Sequence, residues 1–377
     1  MMAMREHLLD TLEIGKPLPP AVRSAVRVPY ALRRVPASRW HTLLPRRDPP
    51  QVGDVALARV ESIGKNMALD LASGRRCKLH NGDLIGAVFG HRYATLQFEG
   101  YARSDGDRCD LLSGGGLCGQ VASKHDTMPE PTRLRIAGAL GDESGQPLRL
   151  QNFTVRERGG AGVERPRIAV VVGTSMDSGK THTALSVIQG LERRGTAVAG
   201  IKLTGTAAGT DTLAMLDAGA CVALDFVDGG LPSTYRCTLG ELLDLYRRLV
   251  DHAAAEGADW VVVEIADGVI QGETAALLAS ARFVSSVTAW LLAANDALGA
   301  LGAVGLLRHK GLVPLAISGM VSRSALGRRE VEAATQIPCV PAAELQAGAL
   351  NAKLLAAAPP HGLRAVSGEY TAIAAAE

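Results

Sequence analysis

The sequence predicts an α/β protein in which a doubly wound parallel sheet follows a smaller β-rich region. Three observations support this prediction. From residue 167 onward, apolar runs typical of buried strands alternate with helical patterns, as in open parallel sheets. The first strand-to-helix turn of that part reads GTSMDSGKT. Residues 51–155 instead hold short apolar runs separated by NG, SG and DG turns, which are typical of a small barrel or sandwich.

Length and composition set the broad class of the protein. A chain of 377 residues suggests two or three domains, and 47% hydrophobic with 21% charged residues is a globular composition. Aromatic residues make up only 4%, which argues against stacking platforms for single-stranded nucleic acid. The formal net charge of +2 is too small to mark a nucleic-acid binder. The six cysteines include no C-x-x-C pair, which argues against a zinc ribbon.

Two breaks mix charge with proline or glycine as linkers do, PRRDPP at 45–50 and VRERGGAGVERP at 155–166. The first segment carries nine Lys and Arg against four Asp and Glu, so we expect a solvated or partner-docking arm. The predicted division is a basic N-terminal arm with a short helix from Met4 to Leu12 (1–50), a β-rich domain (51–155), a linker (156–166), a nucleotide-binding domain (167–345) and a C-terminal extension (346–377).

Targeting signals are missing from the sequence as given. The start lacks the long apolar run and cleavage site of a signal peptide, which predicts a cytoplasmic protein. The most apolar stretch, from Phe283, is interrupted by Asn295 and Asp296 and is rich in Gly and Ala. It fits a packed α/β interior better than a bilayer span, so no membrane partner is expected.

Strands and helices can be placed in order after residue 167. IAVVVG is a continuous apolar run, and the segment after it places Ala184, Val187, Ile188 and Leu191 at helical spacing. The next predicted strands are AVAGIKL, CVALDFV, DWVVVEIADG, SSVTAWLLAA and VPLAISGMVS. The predicted helices between and after them are TDTLAMLDAG, ELLDLYRRLVDHAAAEG, ETAALLASARF, ALGALGAVGLLRHKG and RREVEAATQ. Right-handed crossovers then put helices on both faces of the sheet.

The turn after the first of these strands is a P-loop that reads G-x-x-x-x-x-G-K-T from Gly173 to Thr181, with one residue more between its glycines than in G-x-x-x-x-G-K-T. Its glycines let backbone N–H groups converge on phosphate, Lys180 brings a cation to the β- and γ-phosphates, and Thr181 offers a hydroxyl to Mg²⁺. His182 could touch a substrate or be solvated. The predicted nucleotide-binding residues are Gly173, Thr174, Ser175, Met176, Asp177, Ser178, Gly179, Lys180, Thr181 and His182.

Other charged residues come at the predicted ends of strands. Glu264 and Asp211 are candidate metal ligands, and Lys202 is placed to reach an anion. As alternatives, the carboxylates could be helix caps or turn residues, and the lysine an ordinary surface residue. Asp267 could shape a substrate pocket or only turn the chain, and Asp296 could lie at a strand end or cap a helix.

At these residues the chain resembles the dethiobiotin synthetase branch of P-loop enzymes. That branch is related to the amidotransferase synthases of cobalamin precursors, such as cobyrinic acid synthase, and to the MinD/ParA-like ATPases. GTSMDSGKT matches the loop, including an acidic residue at Asp177. AGIKLTGTA and DWVVVEIADG match its later strands, over residues 167–345. A second, weaker resemblance is to a P-loop family linked to N-acyl-D-glutamate metabolism, through the TGT segment, CVALDFV and an extra N-terminal domain.

The first resemblance implies an ATP- and Mg²⁺-dependent enzyme, acting as a homodimer, that phosphorylates a carboxylate or carbamate of a small substrate. The mixed anhydride is then attacked by an amine or another nucleophile, giving ligation or cyclisation. The implied roles are catalysis by Lys180, Lys202 and Asp177, metal binding by Thr181, Asp211 and Glu264, and substrate binding by Lys202, Thr206 and Asp267.

Other function classes stay open at this point. One is a nucleotide-hydrolysing switch or metallochaperone without small-molecule turnover. MinD-like switches commonly carry a second lysine near the start of the loop, where this chain has Thr174 and Ser175, which favours the enzyme. Another is an acyl-amino-acid metabolic enzyme, from the second resemblance. An OB-like nucleic-acid module is less favoured, since its clustered aromatics are only Tyr93, Phe98 and Tyr101. The choice between ATP and GTP is also open.

Overall fold

The computed structural model describes residues 12–156 and 165–357. The helix expected from Met4 to Leu12 lies outside these ranges except for Leu12, which is not helical. Most of the expected linker and the end of the C-terminal extension also lie outside them. The last described part forms two short helices at Ala342–Gln346 and Asn351–Ala356.

The first part of the chain is built mainly of strands. After a short helix, α1, at Pro20–Ala25, they are β1 (Thr42–Leu44), β2 (Val55–Ser62), β3 (Ala68–Asp70), β4 (Arg76–Lys78), β5 (Leu84–Phe89), β6 (Phe98–Tyr101), β7 (Arg108–Leu111), β8 (Leu117–Lys124) and β9 (Thr132–Gly141). Successive pairing of β2, β5, β8, β7, β9 and again β2 closes a five-stranded ring. All its pairs are antiparallel except β5 with β8. Of the two expected β-rich architectures, the observed one is a barrel.

Alternating side chains explain the barrel. In β9 the residues Thr132, Leu134 and Ile136 are buried while Arg133 and Arg135 between them are exposed, the pattern of a strand with one face on a core. Leu134 and Ile136 join a core cluster with residues of β2 and β5. The interior of the ring is therefore filled by side chains.

The second part is the predicted parallel sheet. Its strands are β10 (Arg167–Gly173), β11 (Val198–Lys202), β12 (Val222–Asp225), β13 (Trp260–Glu264), β14 (Ala289–Ala293) and β15 (Ala316–Ser318), in the order β12-β11-β13-β10-β14-β15. Every neighbouring pair is parallel. Ala169 and Val171 belong to one core cluster, while Val170 and Val172 belong to another. Both faces of the central strand are therefore covered, and the expected α/β fold with a parallel sheet is confirmed.

Helices follow the strands as expected, with one difference. They are α2 (Lys180–Glu192), α3 (Thr210–Asp217), α4 (Leu239–Ala255), α5 (Gly272–Ala279), α6 (Ala281–Val284), α7 (Ala297–His309) and α8 (Ala325–Thr335). The single helix expected over ETAALLASARF is divided at Ser280, whose backbone is extended and whose side chain accepts a hydrogen bond from Phe283 N. Ser280 acts as the N-cap of a new helix, which is a common position for serine.

The basic N-terminal segment is not a solvated arm over its described residues, contrary to expectation. Leu32 and Trp40 are fully buried in a core cluster that also contains residues of the parallel sheet. Arg33 Nη2 lies 2.8 Å from Asp225 Oδ1 and 2.6 Å from Asp228 Oδ2. The segment connects the barrel to the parallel sheet, because its apolar residues share a core cluster with the sheet and Arg33 pairs with Asp225 and Asp228.

Within the described ranges, none of the helices has the length and apolar character that a bilayer crossing requires.

Candidate phosphate-binding site

The predicted site lies at the carboxyl ends of three adjacent strands. β13 pairs with both β10 and β11, so that Glu264 stands opposite Val171 on one side and Lys202 on the other. The loop after β10 runs from Thr174 to Gly179 and leads directly into α2 at Lys180. The edge of a parallel sheet where strands end is the usual ligand site of this architecture.

The loop backbone leaves the start of α2 open. Gly179 is the N-cap with φ of 92° and provides no side-chain cap, so the first N–H groups of the helix have no side-chain acceptor there. Asp177 also has a positive φ, 60°. A Cβ atom on Gly179 would lie 2.8 Å from Cα of Gly319, so glycine is required for both conformation and space. Such an open helix start binds phosphate.

Lys180 extends along the loop. The residue is 7% exposed, and Nζ donates a hydrogen bond of 2.7 Å to the carbonyl oxygen of Ser175. Burial lowers the pKa of Lys180, although Glu264 and Asp267 act in the opposite direction. No ion pair with Lys180 is found among residues 12–156 and 165–357, so its charge is available to a bound anion.

Thr181 and Glu264 form the second element of the site. Thr181 Oγ1 donates a 2.9 Å hydrogen bond to Glu264 Oε1. The other oxygen, Oε2, is buried without a hydrogen-bond partner. Burial raises the pKa of Glu264, while Lys202 acts to lower it. A buried carboxylate oxygen with no donor, next to a threonine hydroxyl, fits a hard cation such as Mg²⁺, which prefers oxygen ligands.

Lys202 and Asp211 bind each other. Lys202 Nζ donates a hydrogen bond to Asp211 Oδ2 and forms an ion pair with it. Burial lowers the pKa of Lys202, but Asp211 and Glu264 outweigh this effect, so that its pKa is raised. Asp211 is thus paired with the lysine in this structure, and the metal-binding role implied for Asp211 with Glu264 stays a prediction. Within the described ranges, no three His, Cys, Asp or Glu side chains group as a metal site.

Most of the predicted residues surround one cavity of about 420 Å³. The predicted residues on its wall are Met176, Asp177, Gly179, Lys180, Thr181, His182, Lys202, Thr206, Asp211, Glu264 and Asp267. Those that do not line it are Gly173, Thr174, Ser175 and Ser178. Asp267 also has a positive φ, 57°, so it both turns the chain and faces the cavity. Asp296 is a helix cap, whose Oδ1 accepts a 2.7 Å hydrogen bond from Gly299 N.

Sequence reasoning missed one wall of this cavity. This wall comes from the loop between β5 and β6 of the barrel and consists of Arg92, Tyr93 and Ala94. These residues belong to no recognisable sequence motif. Met320, after β15, completes the wall. In the sequence, Tyr93 stands out only as one of three clustered aromatic residues. In the structure its ring lies against that of Tyr235, with the ring centroids 5.4 Å apart. No local signal identifies Arg92, because its place depends on how the barrel packs on the sheet.

A strand, a glycine-rich loop with its lysine and threonine, and a helix at the centre of a parallel sheet define a P-loop NTPase fold. This assignment depends on the loop and sheet of the chain itself. No protein-family model matches the chain, and no curated protein matches it.

Several solved structures align with part of the chain. The signal recognition particle 54 kDa protein of Aeropyrum pernix K1 in complex with GDP has a TM-score of 0.34 and 20% identity, over 55% of this chain and 50% of its own. A DUF1611 family protein from Anabaena variabilis has a TM-score of 0.36 and 15% identity, over 53% of this chain and 63% of its own. The kinase domain of the Escherichia coli tyrosine kinase ETK has a TM-score of 0.31 and 20% identity, over 43% of this chain and 70% of its own. The alignment thus spans half of the first of these proteins and less than two thirds of the second.

Proposed function

We propose that this protein is a Mg-ATP-dependent enzyme that phosphorylates a carboxylate or carbamate of a small substrate and so drives a ligation or cyclisation. The observation that carries the proposal is the pairing of Thr181 with Glu264, whose second oxygen is buried without a partner, beside Lys180 in a 420 Å³ cavity. A phosphate site and a cation site thus open into space for a second molecule.

The nucleotide phosphates would be held by the loop from Gly173 to Gly179, the start of α2 and Lys180. Mg²⁺ would be held by Thr181 and Glu264, with the remaining ligands from phosphate oxygens and water, as is usual for this ion. When bound, the ion neutralises charge that develops on the phosphate oxygens. ATP and GTP fit these contacts equally, and ATP is proposed from the resemblance.

The chemistry asks little covalent work of the side chains. A substrate carboxylate oxygen attacks the γ-phosphorus, the bond from that phosphorus to the β–γ bridging oxygen breaks, and ADP leaves with the bonding pair. An amine then attacks the acyl carbon of the acyl phosphate, loses its proton, and releases inorganic phosphate. Lys180 would stabilise charge on the transferred group, and Lys202 would orient the carboxylate once Asp211 shifts away from it.

A nucleotide switch without a small substrate is the second candidate. It would use the same loop, but it has no evident need for an enclosed space beside the phosphates. The cavity of about 420 Å³ is also lined by the polar residues Thr206 and Asp267. A cavity of this size suits a small polar substrate, and it favours the enzyme.

Incubation with ATP, Mg²⁺ and a panel of dicarboxylic, amino and N-acyl-amino acids tests the proposal, with and without an added amine. The expected result is ADP release that depends on one class of acid, together with a new product. ADP release that responds only to proteins or nucleic acids supports the switch instead. The homodimer stays a prediction, which sedimentation of the purified protein tests.

A further inference from the structure

We propose that Arg92, which the barrel contributes to the cavity, binds a carboxylate group of the small substrate. The barrel would then be the part of the molecule that selects anionic substrates. This inference rests on the proposed function, because it names a residue for the second substrate of that site. It concerns a different interaction from the phosphate contacts of Lys180.

Arg92 is buried but has no anionic partner. The residue is 7% exposed. Its guanidinium donates to the backbone oxygen of Leu112 and, over 2.7 Å, to Gln97 Oε1, while Nε is buried without a partner. Both acceptors are neutral, and the guanidinium carbon lies 5.9 Å from the centre of the Phe98 ring. Across the described ranges, no carboxylate comes within ion-pair distance of Arg92.

Arg33, a partly buried arginine of the same chain, shows a guanidinium whose charge is compensated. Arg33 has two carboxylates within 2.8 Å, those of Asp225 and Asp228, and their charges keep its pKa raised despite burial. Burial lowers the pKa of Arg92 to about 10, with only a weaker opposing effect of Asp267. A buried cation without a counter-charge costs stability, so a purely structural residue at this position has no need to be arginine.

Arg92 keeps N–H donors that its hydrogen bonds within the barrel do not use. A guanidinium has five N–H groups, and two of its nitrogens make the hydrogen bonds described above. Arg92 lines the same cavity as Lys180 and Lys202. A planar carboxylate is the ligand that a guanidinium binds best, through two parallel hydrogen bonds. A substrate with one carboxylate for phosphorylation and another for Arg92, a dicarboxylate, satisfies both ends of the cavity.

Asp267 supports this arrangement. Its carboxylate lies within electrostatic range of Arg92, Lys180 and Lys202, and burial raises its pKa against their opposing effect. It accepts no hydrogen bond from any of the three among the described residues. Asp267 is therefore shared between the cations without pairing with one, which leaves Arg92 able to accept a ligand anion.

The test is the binding of simple carboxylates to protein already saturated with Mg-ADP, so that the P-loop is filled. Malonate, succinate and glutarate are compared with acetate by calorimetry, in the wild type, Arg92→Gln, Arg92→Lys and Arg103→Gln. Arg103 is the matched control, because it is an exposed arginine of the same barrel that lies over the Tyr101 ring and does not line the cavity.

We expect at least one dicarboxylate to bind the wild type, with its Kd raised about 10- to 100-fold by Arg92→Gln, the range for a hydrogen bond to a charged group. Arg92→Lys should give a smaller loss, because the charge stays but the planar fork does not. Arg103→Gln should bind like the wild type, and the Kd of Mg-ADP should be unchanged in every variant. If Arg92→Gln does not fold, the Arg92→Lys comparison decides.

Equal dicarboxylate binding by the wild type and the Arg92 variants overturns the inference, and so does the absence of any carboxylate binding to the wild type. The two proposals fail separately. If Arg92-dependent binding occurs but no acid stimulates ADP release, the anion site stands and the phosphorylation does not. If an acid stimulates ADP release with the same KM in Arg92→Gln, the phosphorylation stands and the role of Arg92 does not.

Discussion

Replacing Lys180 with alanine removes the cation that the loop holds beside the cavity. The only hydrogen bond of its ammonium group in the described structure is to the Ser175 carbonyl oxygen, 2.7 Å away. Loss of one stabilising contact to a transition-state oxyanion costs about 3 to 4 kcal/mol. At about 1.4 kcal/mol for each factor of ten in rate, turnover should fall at least a hundredfold. The fold should persist, because no ion pair is broken.

The assay is ADP release under saturating Mg²⁺ and the best acid substrate, with thermal unfolding followed by circular dichroism on the same samples. Lys310→Ala is the matched control, since Lys310 is an exposed lysine at the end of α7, outside the cavity. Its turnover and melting should equal those of the wild type. Near-normal turnover by a folded Lys180→Ala protein would refute the assigned role of the lysine.

Three further changes probe the same site. Glu264→Gln removes the carboxylate beside Thr181, so the Mg²⁺ concentration for half-maximal ADP release should rise more than about tenfold; an unchanged Mg²⁺ titration would contradict the cation site. Gly179→Ala puts a Cβ atom 2.8 Å from Gly319 Cα at a φ of 92°. It should cost about 1 to 3 kcal/mol of unfolding free energy and weaken nucleotide binding, whereas a wild-type melting curve would argue against the loop conformation. Burial raises the folded-state pKa of Asp267 above its ordinary value, so the folded protein holds the proton more tightly and stability falls as pH rises through that range. Asp267→Asn should remove this loss, and its melting temperature relative to the wild type should rise from about pH 4 to about pH 7; a constant difference would contradict the sign of the shift.

The parallel sheet and the P-loop could be predicted because both are local patterns. Continuous apolar strands such as Trp260–Val263 and the loop spacing around Gly179 and Lys180 appear in the sequence itself. Their positions at strand ends then follow from the register of a parallel sheet, which sets Lys202 beside Glu264.

The cavity wall from the barrel could not be predicted, because it depends on packing between distant segments. Arg92 belongs to no motif, and it donates hydrogen bonds to Leu112 and Gln97 of the barrel. The pairing of Lys202 with Asp211 was also missed. Both residues were expected to face ligands, but a lysine and an aspartate at neighbouring strand and helix ends neutralise each other when no ligand separates them. The ion pairs of Arg33 could not be predicted from charge either, because its two partners lie 192 and 195 positions later in the chain.

The contact of Arg33 with Asp225 joins residues 192 positions apart in the chain, and this separation has a consequence for synthesis. At about 5 to 20 residues per second, the ribosome needs about 10 to 40 s to make the second partner after the first. During that interval all the barrel strands, up to Gly141, have been synthesised. Arg33 of the N-terminal segment has no carboxylate partner until Asp225 is made. The ion pair of Arg33 with Asp225 is therefore a late contact in folding.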